Sequence, residues 1–264
     1  MTDSREFNVA FDANVKHKFS YLPGKLPNMA VTQKNGMLIV DGGLNTDMFN
    51  IICCDGANDR EVVHLAIDHF KAKKLPYAFW VGFENDPSWL EEELLSMGLT
   101  VAEIDWAMVC DLQEHPPVLS KLNLDIRQVG DQSAVRDIIT VMNRILPAEE
   151  HRAIESFYLP SVPYLLDPQS LLIFFVGYYD DKPVSISSSF CDRGMVSIFD
   201  VIVSPEMRGK GFGKAMTLQP MIDAQAKGYD KVVLTATDDV RYLYEKIGFH
   251  VFKTMKVYHE YFSI

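Results

Sequence analysis

The stretch "DVIVSPEMRGKGFGKA", Asp200–Ala215, decides the fold of this chain. An apolar run ends at Val203, and three glycines follow, interleaved with Arg208, Lys210 and Lys214. A strand that passes into a helix through such a loop leaves the first N–H groups of the helix without intrahelical partners. Together with the helix dipole these groups attract an anion, and glycine lets the backbone approach it closely. The stretch therefore predicts a site for phosphate or pyrophosphate.

The spacing of the glycines excludes two common nucleotide loops. A P-loop needs G-x-x-x-x-G-K-[ST], but Gly209 stands one position too close to Gly213, and Ala215 follows Lys214. The dinucleotide fingerprint needs G-x-G-x-x-G, whereas this loop gives G-x-G-x-G. Apolar hairpins precede the loop, which is the wrong strand order for both folds. A tight turn with a basic surface is the remaining alternative.

The spacing Arg208-x-x-Gly211-x-Gly213 resembles the pyrophosphate loop of the GNAT superfamily of N-acetyltransferases. The loop follows "SPEM", as GNAT loops follow V-x-P-x-x. After one helix and one strand comes "YLYEKIGF" (242–249), which is similar to the family's LYEKLGF. The resemblance covers residues 122–264 in element order. It implies an α/β (α+β) fold, with a mixed, mostly antiparallel central sheet flanked by helices.

The resemblance implies acetyl-CoA as the co-substrate. The backbone of Val201, Ile202 and Val203 would hydrogen-bond its pantetheine arm, beside a β-bulge that opens the cleft. Arg208 opens the loop, and the backbone N–H groups beyond it would hold the pyrophosphate. Thr237 stands where many members carry an asparagine near the cofactor, so its hydroxyl replaces the amide or the contact is lost. The remaining implied cofactor residues are Gly209, Lys210, Gly211, Phe212, Gly213, Lys214 and Tyr244.

Tyr244 matches the tyrosine that the family places to protonate the leaving CoA thiolate. Tyr242 lies about 200° away around the same predicted helix, so only one of the two can face the cleft. The distance to Gly248 and Phe249 selects Tyr244. The alternative is a tyrosine that only packs in the core.

The general base is less determined. Ser197 occupies the position where protein-modifying relatives carry a glutamate, and Asp200 is the nearest acid. Strand alternation predicts that Asp200 points away from the face of Ser197 and Phe199. Asp200 is therefore a candidate catalytic residue, with a structural role as the alternative.

A domain boundary is predicted near residues 115–122, where Pro116 and Pro117 force extended backbone. Strand, helix, strand, helix and strand occur in the same order on both sides, which favours an internal duplication over two unrelated segments. Residues 122–264 are the predicted GNAT domain. Residues 1–118 are predicted to form a degenerate GNAT-like domain without a cofactor loop, because "DGANDRE" (55–61) carries acids where the second half carries bases. Residues 76–99 also resemble the first half of tandem GNAT proteins, which implies one cofactor site per chain.

The composition and charge of the chain restrict the classes of partner that it is expected to bind. The 264 residues carry a net charge of −11, of which −9 belongs to residues 1–120. This charge is opposite to that expected of a nucleic-acid binder. The acidic half serves solubility or attracts a cationic substrate. No apolar window of about 18 residues predicts a membrane span, and the N-terminus lacks the order of a secretory signal. Four cysteines without a C-x-x-C pair, and histidines without metal-ligand spacing, predict reduced thiols, no metal site and a cytoplasmic location.

The resulting hypothesis is an acetyl-CoA-dependent N-acyltransferase that acts by direct transfer on the amine of a small, possibly cationic molecule, as a monomer or homodimer. A CoA-sensing module would bind CoA without turnover. A protein-interaction domain, with the loop as decoration, would not bind CoA.

Overall fold

The fold is described from a computed structural model, which covers residues 5–54 and 56–260. The contacts within the chain divide it into two units. Unit 1 comprises the residues up to Ala107 together with those from Phe252 onward, and unit 2 comprises Met108–Val251. Among the described residues, no helix combines the length and the apolar character needed to cross a bilayer.

Unit 1 contains two hairpin strands followed by a strand–helix–strand crossover. Its strands run in the order β1-β2-β3-β4-β11, with β3 and β4 parallel and the other neighbours antiparallel. Tyr77 and Phe70 stack in its core at 5.3 Å between ring centroids. The elements are α1 (Arg5–Tyr21), β1 (Ala30–Lys34), β2 (Met37–Asp41), β3 (Asn50–Cys54), α2 (Arg60–Lys73), β4 (Ala78–Val81), α3 (Leu90–Ser96), the first part of β5 (Leu99–Asp111) and most of β11 (His250–Glu260).

Unit 2 repeats this order with longer strands. Its strands run in the order β10-β9-β8-β7-β6, with β9 and β10 parallel and the other neighbours antiparallel. The elements are β6 (Asp125–Gln128), α4 (Gln132–Met142), α5 (His151–Leu165), β7 (Leu172–Tyr179), β8 (Lys182–Asp192), β9 (Met195–Val203), α6 (Phe212–Ala226), β10 (Lys231–Ala236) and α7 (Asp238–Glu245). The predicted fold class is confirmed, since each sheet is mixed, mostly antiparallel and flanked by helices.

Local chemistry accounts for the turns and helix ends of unit 2. Asp180 and Asp181 both have positive φ, of 49° and 57°, which suits a tight hairpin between β7 and β8. Arg193 and Gly194 do the same between β8 and β9, with φ of 52° and 77°. Asp131 caps α4 by accepting a hydrogen bond from the Ala134 N–H at 2.8 Å. In the sequence, "DDKP" (180–183) and "CDRG" (191–194) predict the two hairpin turns, and Asp131 or Ser133 is the predicted N-cap; the structure has both turns there and the cap at Asp131.

Most of β11, the last strand of the second sequence half, lies in unit 1, and the end of β5, the last strand of the first half, lies in unit 2. β11 pairs with β4 through Lys256, Val257 and Tyr258. The end of β5 lies beside β10, where the Leu112 N–H donates to the Asp230 carbonyl at 2.7 Å. The units therefore divide at other positions than the predicted boundary, which falls in the connection between β5 and β6. The assignment of GNAT-like domains to residues 1–118 and 122–264 stays a prediction.

The four cysteines are free thiols; Cys191 is half-buried, and Cys53, Cys54 and Cys110 are buried. They behave as small apolar side chains, as predicted. The predicted final strand continued to Phe262, but residues 261–264 lie outside the described part of the chain.

Candidate active site

A cleft of about 540 Å³ lies in unit 2 where β9 and β10 separate. The two strands pair only from Val196 to Ile198 on the β9 side, although β9 continues to Val203. The backbone at the end of β9 therefore faces the opening. The cleft is lined by Ile145, Val201, Ile202, Val203, Met207, Arg208, Gly209, Gly211, Phe212, Gly213, Lys214, Asp239, Val240, Leu243 and Tyr244.

A β-bulge bends β9 at the start of this opening. Ser188 of β8 lies opposite Phe199, and Ile186 lies opposite Ile202, so β9 carries one residue more than β8 between these pairs. Asp200, inside the bulge, has a φ of 55°. Aspartate tolerates this left-handed conformation better than most residues. The predicted bulge is thus present.

The bulge also changes the direction of the Asp200 side chain. The Ser188 hydroxyl donates to Asp200 Oδ2 at 2.7 Å, and Ser188 lies on the same face as Phe199 because the two are directly opposite. The expectation that Asp200 points away from Phe199 was wrong, because simple alternation fails where a strand holds an extra residue. Asp200 is not among the residues that line the cleft. Its charge, after burial, helps to raise the pKa of Tyr158 on α5.

The glycine loop leads into α6 with its amides uncapped. Gly211 is the N-cap residue, has a φ of 82° and offers no side-chain cap. The first turn of α6 contains no acid. The Ala215 N–H bonds back to the Gly211 carbonyl at 3.1 Å, so the N–H groups before it belong to the orphan set of a helix start. This arrangement suits an anion.

The basic side chains of the loop take different directions. Arg208 and Lys214 line the cleft, and Arg208 Nε donates to the Val203 carbonyl at 3.3 Å. Lys210 Nζ instead lies 5.0 Å from the centre of the Tyr179 ring and contacts Met207 Sδ. Lys210 is therefore a predicted cofactor residue that does not line the cleft.

Tyr244 lines the same cleft. It is 6% exposed, whereas Tyr242 is 64% exposed, as the helical spacing predicts for a pair of which one faces inward. The Phe249 ring packs edge-on against Tyr244 at 6.0 Å. Burial, aided by the charge of Asp239, raises the pKa of Tyr244 to about 12, and a hydrogen bond with Thr217 opposes this shift. The phenol therefore stays protonated at neutral pH and can donate a proton.

Thr237 does not line the cleft. It is the N-cap residue of α7, and its hydroxyl donates to Asp239 on the same helix. This local bond occupies the hydroxyl that the resemblance aligns with an asparagine. Asp239, two residues further along, does line the cleft. The cleft that holds the basic side chains of Arg208 and Lys214 therefore also holds an acidic one.

Five lining residues were not predicted. Val240 lies one helical turn before Tyr244, so the amphipathic pattern of α7 could have indicated it and Leu243. Met207 directly precedes the predicted Arg208, and Asp239 lies two residues after the predicted Thr237. Ile145 lies after α4, far from the loop in sequence, and no local pattern marks it.

Known proteins are similar to this chain in sequence and in fold. A family model described as an acetyltransferase (GNAT) domain matches residues 170–251, which include the loop and Tyr244. A glucosamine 6-phosphate N-acetyltransferase from Trypanosoma brucei brucei is 39% identical over 57 residues, which are 22% of this chain and 39% of that protein. The match thus spans well under half the length of this curated relative.

Solved structures share the fold. A GCN5-related N-acetyltransferase from Kribbella flavida has a TM-score of 0.71 at 12% identity, covering 96% of this chain and 95% of that chain. A tandem GNAT protein from the clavulanic acid biosynthesis pathway has a TM-score of 0.55 at 11% identity, covering 88% and 83%. Such identities establish the fold alone. They show that this chain has the GNAT fold, within which residues 170–251 match the acetyltransferase (GNAT) domain model.

Proposed function

We propose that this protein is an acetyl-CoA-dependent N-acyltransferase that moves an acetyl group directly to the amine of a small molecule. The observation that carries the proposal is one cleft that combines two chemical features. The uncapped N-terminus of α6 and the buried, protonated Tyr244 both line it. An anion site and a proton donor in one cleft suit a substrate that carries both a thioester and a phosphate group.

The residues fit the cofactor by charge and by backbone geometry. The N–H groups from Gly209 to Lys214 would hold the pyrophosphate, and the charges of Arg208 and Lys214 lie beside them. The backbone of Val201, Ile202 and Val203 is available to the pantetheine arm, because β9 has left β10 by this point. Phe212 is buried under the loop and contributes its N–H group. Lys210 and Thr237 are the weaker members of the proposed set, since neither lines the cleft.

The chemistry then requires two groups from the protein. The amine nitrogen attacks the thioester carbonyl carbon, and the carbon–sulfur bond breaks. Backbone N–H groups at the end of β9 stabilise the negative charge on the carbonyl oxygen. Tyr244 gives its proton to the departing sulfur, and the proton released by the amine restores the phenol. The atoms balance as amine plus thioester to amide plus thiol.

Asp200 is the candidate for the base that first accepts the amine proton and then returns it to the Tyr244 phenolate. Its carboxylate accepts a hydrogen bond from the Ser188 hydroxyl at 2.7 Å and acts electrostatically on Tyr158 of α5, although Asp200 does not itself line the cleft. Replacing it by asparagine removes the basic group but keeps an oxygen for Ser188. A normal pH–rate profile in Asp200→Asn would remove Asp200 from the mechanism.

The acceptor class rests on two supports. The curated relative named above acts, by its name, on the amine of a small sugar phosphate. The net charge of −9 over residues 1–120 favours a cationic acceptor. Reduced cysteines favour a cytoplasmic location. We infer a small-molecule amine, without nucleic acid or membrane, and a monomer or homodimer.

Release of free thiol from acetyl-CoA across a panel of amines tests the proposal. We expect turnover in the wild-type protein and a loss of roughly 100-fold in kcat in Tyr244→Phe, as for other general acids. Because the pKa of Tyr244 is about 12, kcat should show no loss from this residue up to about pH 10. The exposed neighbour Tyr242→Phe is the matched control and should retain full activity. CoA binding without turnover would favour a sensing module, and no CoA binding would contradict the proposal.

A further inference from the structure

The side chain of Arg144 connects two strands of unit 2 close to the point where the glycine loop begins. Arg144 lies two residues after the end of α4 and does not line the cleft, although its neighbour Ile145 does. Its Nη1 donates to the Pro183 carbonyl of β8 at 2.9 Å and to Ser204 Oγ at 3.0 Å. Glu206 Oε1 lies 3.5 Å from the same nitrogen. Arg144 therefore binds the start of β8 and the residue that follows β9 at the same time.

Ser204 joins the end of β9 to the turn that precedes the glycine loop. It is fully buried, its N–H donates to the Val184 carbonyl at 2.9 Å, and its carbonyl accepts the Met207 N–H at 2.8 Å. With the hydrogen bond from Arg144, each of its polar groups has a partner. Val203, immediately before it, lines the cleft, and so does the loop that begins four residues after it. The position of Ser204 therefore sets where the end of β9 and the loop lie relative to each other.

We propose that Arg144 is a positioning residue for acetyl-CoA: through Ser204 it fixes the end of β9 and the start of the glycine loop in the arrangement that binds one cofactor along both. The inference rests on the proposed function and concerns a residue that no sequence motif marks. The backbone donors at the end of β9 and those at the start of α6 must serve the same molecule. A change in the spacing between the two groups would cost affinity even where each group is intact.

A guanidinium suits this place better than an ammonium. Nη1 carries two N–H groups in fixed planar directions, and two acceptors, one from each strand end, take them. Hydrogen bonds from a charged donor are stronger than those between neutral groups. The Glu206 carboxylate is more than half exposed, so its ion pair adds little. The fixed geometry of the two hydrogen bonds, rather than the charge, is therefore what positions Ser204.

Steady-state kinetics and CoA titration of Arg144→Ala test the inference. We expect the KM for acetyl-CoA and the dissociation constant of CoA, measured by calorimetry, to rise roughly tenfold, because the two groups of N–H donors are no longer preorganised. At saturating acetyl-CoA, kcat should stay within about twofold of the wild type, since Tyr244 is untouched. Arg144→Lys keeps the charge but cannot hold both acceptors in one plane, so it should recover only a minor part of the affinity.

A double-mutant cycle tests whether Arg144 acts through Ser204. Ser204→Ala removes the hydroxyl that Arg144 binds and should weaken CoA binding about fivefold on its own. In the Arg144→Ala background the same substitution should change the affinity less than about twofold, because the hydrogen bond is already gone. If Arg144→Ala does not fold, Arg144→Lys takes its place in the cycle.

Arg127→Ala is the matched control for the loss of an arginine near the surface. Arg127 Nε on β6 donates to Asp125 at 2.7 Å, and its guanidinium lies 4.5 Å from the centre of the Tyr178 ring. It does not line the cleft and contacts no part of the loop in these bonds. We expect Arg127→Ala to leave the CoA affinity and the KM unchanged.

The outcomes distinguish this inference from the function on which it rests. Unchanged CoA affinity in Arg144→Ala, full recovery in Arg144→Lys, additive losses in the cycle, or a loss of kcat at unchanged KM would overturn the role of Arg144 and leave the acetyl transfer standing. A wild-type protein that binds CoA without turnover would refute the transfer, and the CoA titrations would still decide the role of Arg144. A wild-type protein that does not bind CoA would overturn both.

Discussion

The starts of α2 and α6 occupy the same place in their units and are built in opposite ways. Each helix connects two parallel strands, β3 to β4 in unit 1 and β9 to β10 in unit 2. At α2, the Asp59 carboxylate accepts the Glu61 N–H at 2.9 Å and caps the helix. At α6, Gly211 provides no side chain, and the first turn holds no acid. The start of α2 is capped by a side chain of the chain itself, whereas the start of α6 is open to an external anion.

The loop after β4 in unit 1 also has its backbone N–H groups bound by carboxylates of the chain. The Asp86 carboxylate accepts the N–H groups of Gly82 and Phe83, at 2.6 and 2.8 Å. Asp12 of α1 accepts the Glu84 N–H and binds Lys253. Burial raises the pKa of both aspartates, that of Asp86 to about 6. In unit 1, backbone amides that could hold a phosphate are thus occupied by internal carboxylates. This supports one cofactor site per chain, in unit 2.

The largest effect should come from closing the open helix start. Gly211→Glu places a carboxylate against the anion site, so we expect the affinity for CoA to fall by roughly 100-fold or more, measured by calorimetric titration. The substitution also carries a backbone cost of roughly 1–2 kcal/mol, because a residue with a Cβ is strained at a φ of 82°.

Gly228 provides the matched control for that strain. It has a φ of 83°, lies after the end of α6, and would place a Cβ in open space. Gly228→Glu should lose similar stability and keep its CoA affinity. Equal affinity in both variants and the wild type would contradict the cofactor site.

A smaller effect on CoA affinity is expected from replacing the basic side chains at the starts of α6 and α2. Arg208→Ala should weaken CoA binding about tenfold, and less at high salt, because one charged contact with phosphate is lost. Arg60, in the first turn of α2, is paired with Glu93. Arg60→Ala should leave CoA affinity unchanged, and a comparable loss would place an anion site in unit 1 as well.

The smallest effect should follow removal of the cap of α2. Asp59→Ala should lower the free energy of unfolding by about 1 kcal/mol, as measured by urea denaturation, and leave one CoA site per chain. Asp131→Ala at α4 removes a similar cap and should cost about the same. A second CoA site in Asp59→Ala would mean that the capping carboxylate alone closes unit 1.

The features predicted well are those that depend on neighbouring residues. The hairpin turns, the cap of α4 and the glycine start of α6 follow from backbone preferences at single positions. The inward direction of Tyr244 follows from helical spacing. The direction of Asp200 was predicted wrongly, since an extra residue in β9 is visible only against the register of β8.

The sequence by itself determined the fold class, the glycine start of α6 and the inward direction of Tyr244, because each of these is encoded by spacing within one element or one turn. Only the tertiary structure decided that β11 pairs with β4 and that Ile145 reaches the cleft. Apolar periodicity indicates that a strand is buried, but it does not identify the strand with which it pairs. Contacts between residues far apart in sequence arise when the elements pack, and no local pattern records them.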